Sequence, residues 1–344
     1  MQNQTELLGT AGTPEKEDFP GLALGRPALL LAPMEGLTDA PMRQVQGNIG
    51  AFTFGVSEFI RVSGEVLPHH VFRRDVPELK TEGRTRSGLP VQVQLLGGDA
   101  ALMAKTAVVA WETGARAIDI NFGCPAPTVN RHDGGASLLK HPQRIREIVA
   151  AIRAALPPEI PVSAKLRLGW DTPDAIYENA AMAAEGGASW LTIHGRTREQ
   201  GYRPPAHYGP LRIVRESLGI PIVANGDIWT LADFRRCRDE TGCSHYMLGR
   251  SALSNPLLSR QVACELGLPP GTAGVLPPSG AGFDWRPYLR MLAESTENFP
   301  RNKPGYLIKR LKQWLRLASV HGDFTGFETI KRVETVEELF ALLG

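Results

Sequence analysis

From residue 28 onward the chain alternates short apolar runs with longer stretches of helical spacing. The runs fall at 28–32, 52–57, 91–95, 117–121, 162–166, 190–194, 222–225 and 246–248. Runs this short, bounded by Gly and polar residues, read as strands buried on both faces. Between most of them the apolar spacing predicts helices, as over 100–113, 142–156, 175–185 and 231–239. Gly114, Gly186, Gly219 and Gly242 follow helical stretches, where a left-handed capping residue is wanted. Eight such units predict an α/β chain folded as a (β/α)8 TIM barrel, typically about 250 residues long. The alternative is an open doubly wound sheet, but no G-x-G-x-x-G follows the first strand.

The barrel pattern ends near Asn255-Pro256. The expected division is a loose extension over 1–26, a catalytic barrel over 27–256, a linker over 257–282 and a small all-helical domain over 283–344. The linker rests on the Pro/Gly-rich stretch 268–282. The first 26 residues have neither a basic start nor an apolar segment, so they do not read as a signal peptide. No apolar run approaches the ~20 residues needed to span a bilayer, and no membrane association is expected. The four cysteines, Cys124, Cys237, Cys243 and Cys264, form no CxxC pair. Neither a zinc site nor a disulfide framework is therefore expected, and a reducing cytoplasmic setting is the simpler reading. Net charge is +2 at 22% charged residues, so nucleic acid would have to be met by a local basic patch.

Polar residues stand at the C-terminal ends of the expected strands, the active-site face of a barrel. Pro33-Met34-Glu35-Gly36 follows the first strand and reads as either a plain turn or a cradle for a flat heterocycle. Gln94, inward-facing with Gln92, needs a partner, either a neighbouring loop or a ring-bound amide. Lys165 sits within an apolar run, so an anionic partner is expected, either Glu35 or a bound ligand. His194 ends the sixth strand. Asn225-Gly226-Asp227 and Gly249-Arg250 end the seventh and eighth, where barrels commonly bind phosphate. Cys124, between Gly123 and Pro125 just past a strand, is open to three roles: proton donor, nucleophile or metal ligand. A thiol is mostly protonated near neutrality, with a pKa of about 8.5. As a nucleophile it would need a base such as His132 or His194. The other three cysteines read as packing residues.

Between Arg301 and Arg332 there are eight Lys/Arg and two acidic residues. On a helix Lys309, Lys312 and Arg316 share a narrow arc with Arg310 at its flank, opposite Leu307, Leu311, Trp314, Leu315 and Ala318. This face is either a solvated surface or a contact for a phosphate backbone.

Together these segments resemble the tRNA-dihydrouridine synthases. The matching motifs are Leu31-Ala32-Pro33-Met34-Glu35-Gly36-Leu37-Thr38-Asp39, Val91-Gln92-Val93-Gln94-Leu95-Leu96-Gly97, Asn121-Phe122-Gly123-Cys124-Pro125, Lys165-Leu166-Arg167-Leu168-Gly169-Trp170, His194-Gly195-Arg196-Thr197, Asn225-Gly226-Asp227 and Gly249-Arg250. The resemblance runs from Ala28 to about Phe340. Ser57-Glu58-Phe59-Ile60-Arg61-Val62 and Ile308-Lys309-Arg310-Leu311-Lys312-Gln313-Trp314-Leu315 are most like the bacterial C type, which acts on uridine 16 of the tRNA D-loop.

The resemblance implies an FMN enzyme reduced by NADPH, with NADH as a possible donor, acting as a monomer on tRNA. Pro33, Met34, Glu35, Gln94, Lys165, His194, Asn225, Gly226, Asp227, Gly249 and Arg250 would hold the flavin. Asn121 and Arg167 would face the flipped uracil. Arg61, Lys309, Arg310, Lys312 and Arg316 would meet the RNA. Hydride would pass to uracil C6 and Cys124 would protonate C5 as the general acid. One departure is Ala126-Pro127-Thr128, where the family often has a small polar residue and a base. Competing readings are a flavin barrel acting on a small pyrimidine and a non-catalytic RNA-binding barrel.

Overall fold

The computed structural model describes residues 19–131, 133–269, 284–299 and 302–343. The extension before residue 19, residues 270–282 of the expected linker, and His132 lie outside the described residues.

The strands are β1 (Ala28–Leu31), β2 (Phe54–Val56), β3 (Ile60–Arg61), β4 (Val91–Leu96), β5 (Ile118–Phe122), β6 (Val162–Arg167), β7 (Leu191–His194), β8 (Ile222–Asn225) and β9 (His245–Leu248). All pair in parallel, in the order β2-β1-β9-β8-β7-β6-β5-β4. A further β2–β4 pairing closes this row into an eight-stranded barrel. The two-residue β3 hangs on β4 outside the ring and has too little pattern to be read from sequence.

Strand parity sorts the side chains. Ile118, Ile120 and Phe122 of β5 pack outward under the helices, while Asp119 and Asn121 alternate to the other face. Register aligns Asn121 with Lys165, Arg167 with His194, and His194 with Asn225. The interior has two halves. One is an apolar cluster of residues including Leu30, Phe54, Val56, Trp190 and Met247. The other is a polar layer in which the Ser163 hydroxyl (2.5 Å) and the Gln94 amide (2.7 Å) donate to Asp119, and Gln92 donates to Ser163. Burial pushes the Asp119 carboxyl up, against the pull of these donors.

The segment 257–282, expected to be linker, is partly helical: Pro256–Glu265 forms a helix with Leu258 and Val262 buried. Asn255 caps it through the Leu257 N–H. Beyond residue 283 the helices are Arg286–Glu297, Tyr306–His321, Phe327–Ile330 and Val336–Leu343. Leu311, Trp314, Leu315 and Ala318 are buried along one face of the long helix, as its spacing predicts. Trp314 also donates its indole N–H to the Leu253 carbonyl at 2.8 Å, joining this helix to the barrel. No helix among the described residues is long and apolar enough to cross a membrane.

Candidate active site

A cavity of about 590 Å³ opens at the C-terminal ends of the strands. That is within the usual size for a small-molecule or cofactor site. Its walls include Met34 and Glu35 after β1, Cys124 after β5, Lys165 and Arg167 of β6, His194 of β7, Asn225 to Trp229 after β8, and Gly249 and Arg250 after β9.

Cys124 is half-buried on the cavity wall. Burial is the largest influence on its thiol and raises its pKa; Glu35 pushes the same way. The Ala126 N–H, Arg167 and Arg61 favour the thiolate but do not prevail. The group is therefore protonated near neutrality, as an acid must be and a nucleophile must not. Asn121 fixes its loop: the amide oxygen accepts from the N–H groups of Gly123 (3.0 Å) and Cys124 (2.8 Å). The Asn121 NH₂ donates to Gln94, whose own NH₂ donates to Asp119. Gln94 thus sits one layer below the cavity, whose lining does not include it. Of the two partners its sequence position allows, a neighbouring segment or a ring-bound amide, the structure shows the first: its oxygen accepts from Asn121 and its N–H donates to Asp119. Asn121, expected to face a base, does line the cavity, while its oxygen holds the loop.

Three cations line the cavity and, among the described residues, form no ion pair. Lys165 donates to the Asn225 side-chain oxygen at 2.9 Å and makes no bridge to Glu35. Burial, helped by Arg167, depresses its pKa to about 8 despite Asp119. Arg167 donates to the carbonyls of Gly123 (2.8 Å), Thr197 (3.1 Å) and Gly201 (2.8 Å). Arg250 lies over the rings of Tyr202 and Trp229. Arg167 is buried, and Lys165 and Arg250 are half-buried; cations drawn toward the interior on neutral partners are costly, and a bound anion would offset that cost.

His194 is buried and its pKa is driven well below the ordinary value, first by burial and then by Arg167, Lys165, Arg196 and Arg250. It is a neutral imidazole, and among the described residues its Nδ1 has no hydrogen-bond partner. Because His194 lines the cavity, this atom is available to a ligand bound there. Gly226, at φ +123°, brings the backbone against His194; a side chain there would be strained.

Two expected ligands have other work. The Asp227 carboxylate pairs with Arg196 and accepts the Ala206 N–H, so it cannot meet an anion. It braces the loop after β7 instead. Arg310, expected on the RNA face, is buried. Its guanidinium meets Asp39 at 3.0 Å and donates to the carbonyls of Gly36 (2.7 Å) and Leu37 (2.8 Å). Glu58 accepts the Gly36 N–H at 2.6 Å, and burial beside Glu35 and Asp39 pushes its carboxyl up to about 7. The Met34–Leu37 turn is thus clamped from both sides. Lys309 and Arg316 are exposed; Lys312 donates to the Val333 carbonyl at 2.6 Å. Arg61 is half-buried on β3, outside the cavity lining.

Tyr202, Trp229 and Glu58 carry no periodic signal and are not singled out by the sequence as site residues. Trp229 follows Asn225-Gly226-Asp227-Ile228 directly, which is the signal that could have found it. Tyr202 is 56% exposed at the mouth, 5.3 Å from the Arg167 guanidinium and edge-on to His194.

The family model described as "Dihydrouridine synthase (Dus)" matches residues 30–340. The tRNA-dihydrouridine(16) synthase of Aquipseudomonas alcaligenes is 45% identical over 320 residues, covering 92% of this chain and 98% of that one. That of Shewanella oneidensis is 40% identical over 319 residues, covering 92% and 96%. Among solved structures, histamine dehydrogenase from Rhizobium sp. 4-9 superposes with a TM-score of 0.55 at 12% identity, over 72% of this chain and 48% of that one. A 2-naphthoyl-CoA reductase complex gives 0.52 at 13% identity, over 70% and 50%. The chain spans about half the length of both. At such identities the likeness speaks for the barrel alone.

Proposed function

The chain belongs to the dihydrouridine synthase family, and on that premise we propose that it reduces uridine to 5,6-dihydrouridine at position 16 of tRNA. The position is the one named for its relatives. The observation that carries the reaction is a protonated Cys124 thiol sharing one cavity with a neutral histidine and three cations that form no ion pair among the described residues.

The cofactor read for this cavity is flavin mononucleotide, with NADPH as the reductant; the volume and polar lining support that reading. The unpartnered Nδ1 of His194 and the uncompensated Lys165 and Arg250 ask for a ligand that is polar along one edge and anionic at one end. Pro33, Met34, Lys165, His194, Asn225, Gly226, Gly249 and Arg250 would hold it. A bound flavin supplies the two-electron reduction, as hydride to uracil C6.

The chain's own residues do the rest. Cys124 gives its proton to C5; burial keeps that proton on sulfur until carbon develops charge. Asn121 and Gln94 hold the loop so that the thiol stays aimed into the cavity. Arg167, anchored by three carbonyls, presents a fixed cation beside it. A uridine inside folded RNA must leave its stack to enter a cavity of this depth. Lys309 and Arg316, with Arg61, would meet phosphates on the way.

The test is dihydrouridine mapping in tRNA from cells lacking the gene. Loss of the modification at position 16, restored by the wild-type chain, is expected. Persistence of dihydrouridine there would overturn the assignment.

A further inference from the structure

Arg250 is held by aromatic rings rather than by a carboxylate. Its guanidinium lies 4.6 Å from the Tyr202 ring centre and 5.0 Å from that of Trp229. Trp229 in turn stacks on His321, with centroids 4.6 Å apart and planes 22° from parallel. His321 ends the Tyr306–His321 helix, so the second domain reaches the cavity rim here.

The seat of that imidazole is tight. A side chain at Gly322 would collide with the Ser254 carbonyl oxygen. The Ser254 hydroxyl lies 2.8 Å from the Arg250 carbonyl and 3.4 Å from the Leu317 carbonyl. Ser254 closes the five-residue helical turn that Arg250 opens. The second domain is thus lodged against the backbone that carries Arg250 and against the ring beneath its guanidinium. Burial and the nearby Arg250 both disfavour the imidazolium, so His321 stacks as a neutral ring.

We propose that His321 is a positioning residue for the anionic end of the flavin: it holds the Trp229 indole against Arg250, so that the helical domain completes the cofactor site. The proposal rests on the reading that Arg250 meets the flavin phosphate. It gives the C-terminal domain a second task besides meeting RNA.

The test is titration of the full-length apoprotein with FMN and with riboflavin, which lacks the phosphate, followed by quenching of flavin fluorescence. His321→Ala is expected to weaken FMN about two- to fivefold and to leave riboflavin unchanged. His321→Phe, which keeps the stack, is expected to restore FMN affinity. Should the alanine variant not fold, His321→Leu is read in the same way. Arg250→Ala is expected to weaken FMN by about tenfold, again sparing riboflavin. If Arg250→Ala matters and His321→Ala does not, the proposal falls while the phosphate reading stands. If Arg250→Ala leaves FMN affinity unchanged, the phosphate reading falls and takes the proposal with it. Equal losses for FMN and riboflavin in His321→Ala would overturn the positioning role.

Discussion

Two regions of this molecule are rich in cations, and they use them oppositely. In the barrel mouth Arg167 is buried, Lys165 and Arg250 are half-buried, and the three are held by carbonyls, an amide and aromatic rings. On the long C-terminal helix Lys309 and Arg316 stand in solvent. A buried cation without a counter-ion is costly, so it asks for a ligand; a solvated one does not. The barrel cations therefore favour an anionic ligand by their position in the cavity wall. The helix cations need the family relationship before they say RNA. Arg310 belongs to neither group, because Asp39 neutralises it where the long helix meets the barrel.

The comparison predicts a clean division between chemistry and docking. Cys124→Ala is expected to lower dihydrouridine formation by about 10²–10⁴-fold, with flavin content and RNA affinity unchanged. Single-turnover assays with reduced enzyme check this, and near-wild-type turnover would remove the thiol from the mechanism. Arg310→Ala is expected to cost about 3–5 kcal/mol of stability, because it strands the Asp39 carboxylate. Urea unfolding measures that. Weaker RNA binding at full stability would return Arg310 to the docking face.

A smaller effect follows from Lys165. Its pKa, depressed to about 8 by burial, means that the cation is present below that pH and lost above it. FMN affinity of the apoprotein should then fall as pH rises past 8, by up to about tenfold per unit. A flat profile to pH 10 would mean that the ligand's charge does not meet this lysine. The smallest effects belong to the helix. Lys309→Ala and Arg316→Ala are each expected to weaken tRNA binding a few-fold and to reduce the salt slope by about one. Melting temperature and flavin binding should not move. An unchanged salt slope would make the face an ordinary solvated surface.

The barrel was legible because its strands are buried on both faces, which forces apolar runs, and because glycines punctuate them. Candidate site residues were legible where a polar residue closes such a run, as His194 and Asn225 do, or interrupts one, as Lys165 does. What the pattern could not tell was what each residue touches. Alternation turns Gln94 inward, but its partners Asp119 and Asn121 are 25 and 27 residues away on the next strand. Arg310 fell at the flank of the basic arc, and the carboxylate that claims it is 271 residues earlier in the chain. Asp227 looked like part of a phosphate turn until Arg196, on another loop, took its charge. Loop residues such as Tyr202 have no period to betray them.

The Tyr306–His321 helix meets the barrel along its whole length. Near its start Tyr306 donates to Asp39 at 2.5 Å, beside Arg310; in its middle Trp314 reaches Leu253; at its end His321 stacks on Trp229. Sixteen residues rise about 24 Å, and that span is matched to fixed points on the rim. One inserted residue would advance everything beyond it by about 1.5 Å and turn it by about 100°. No insertion or deletion inside the helix can satisfy both ends. The helix is therefore a part of set length.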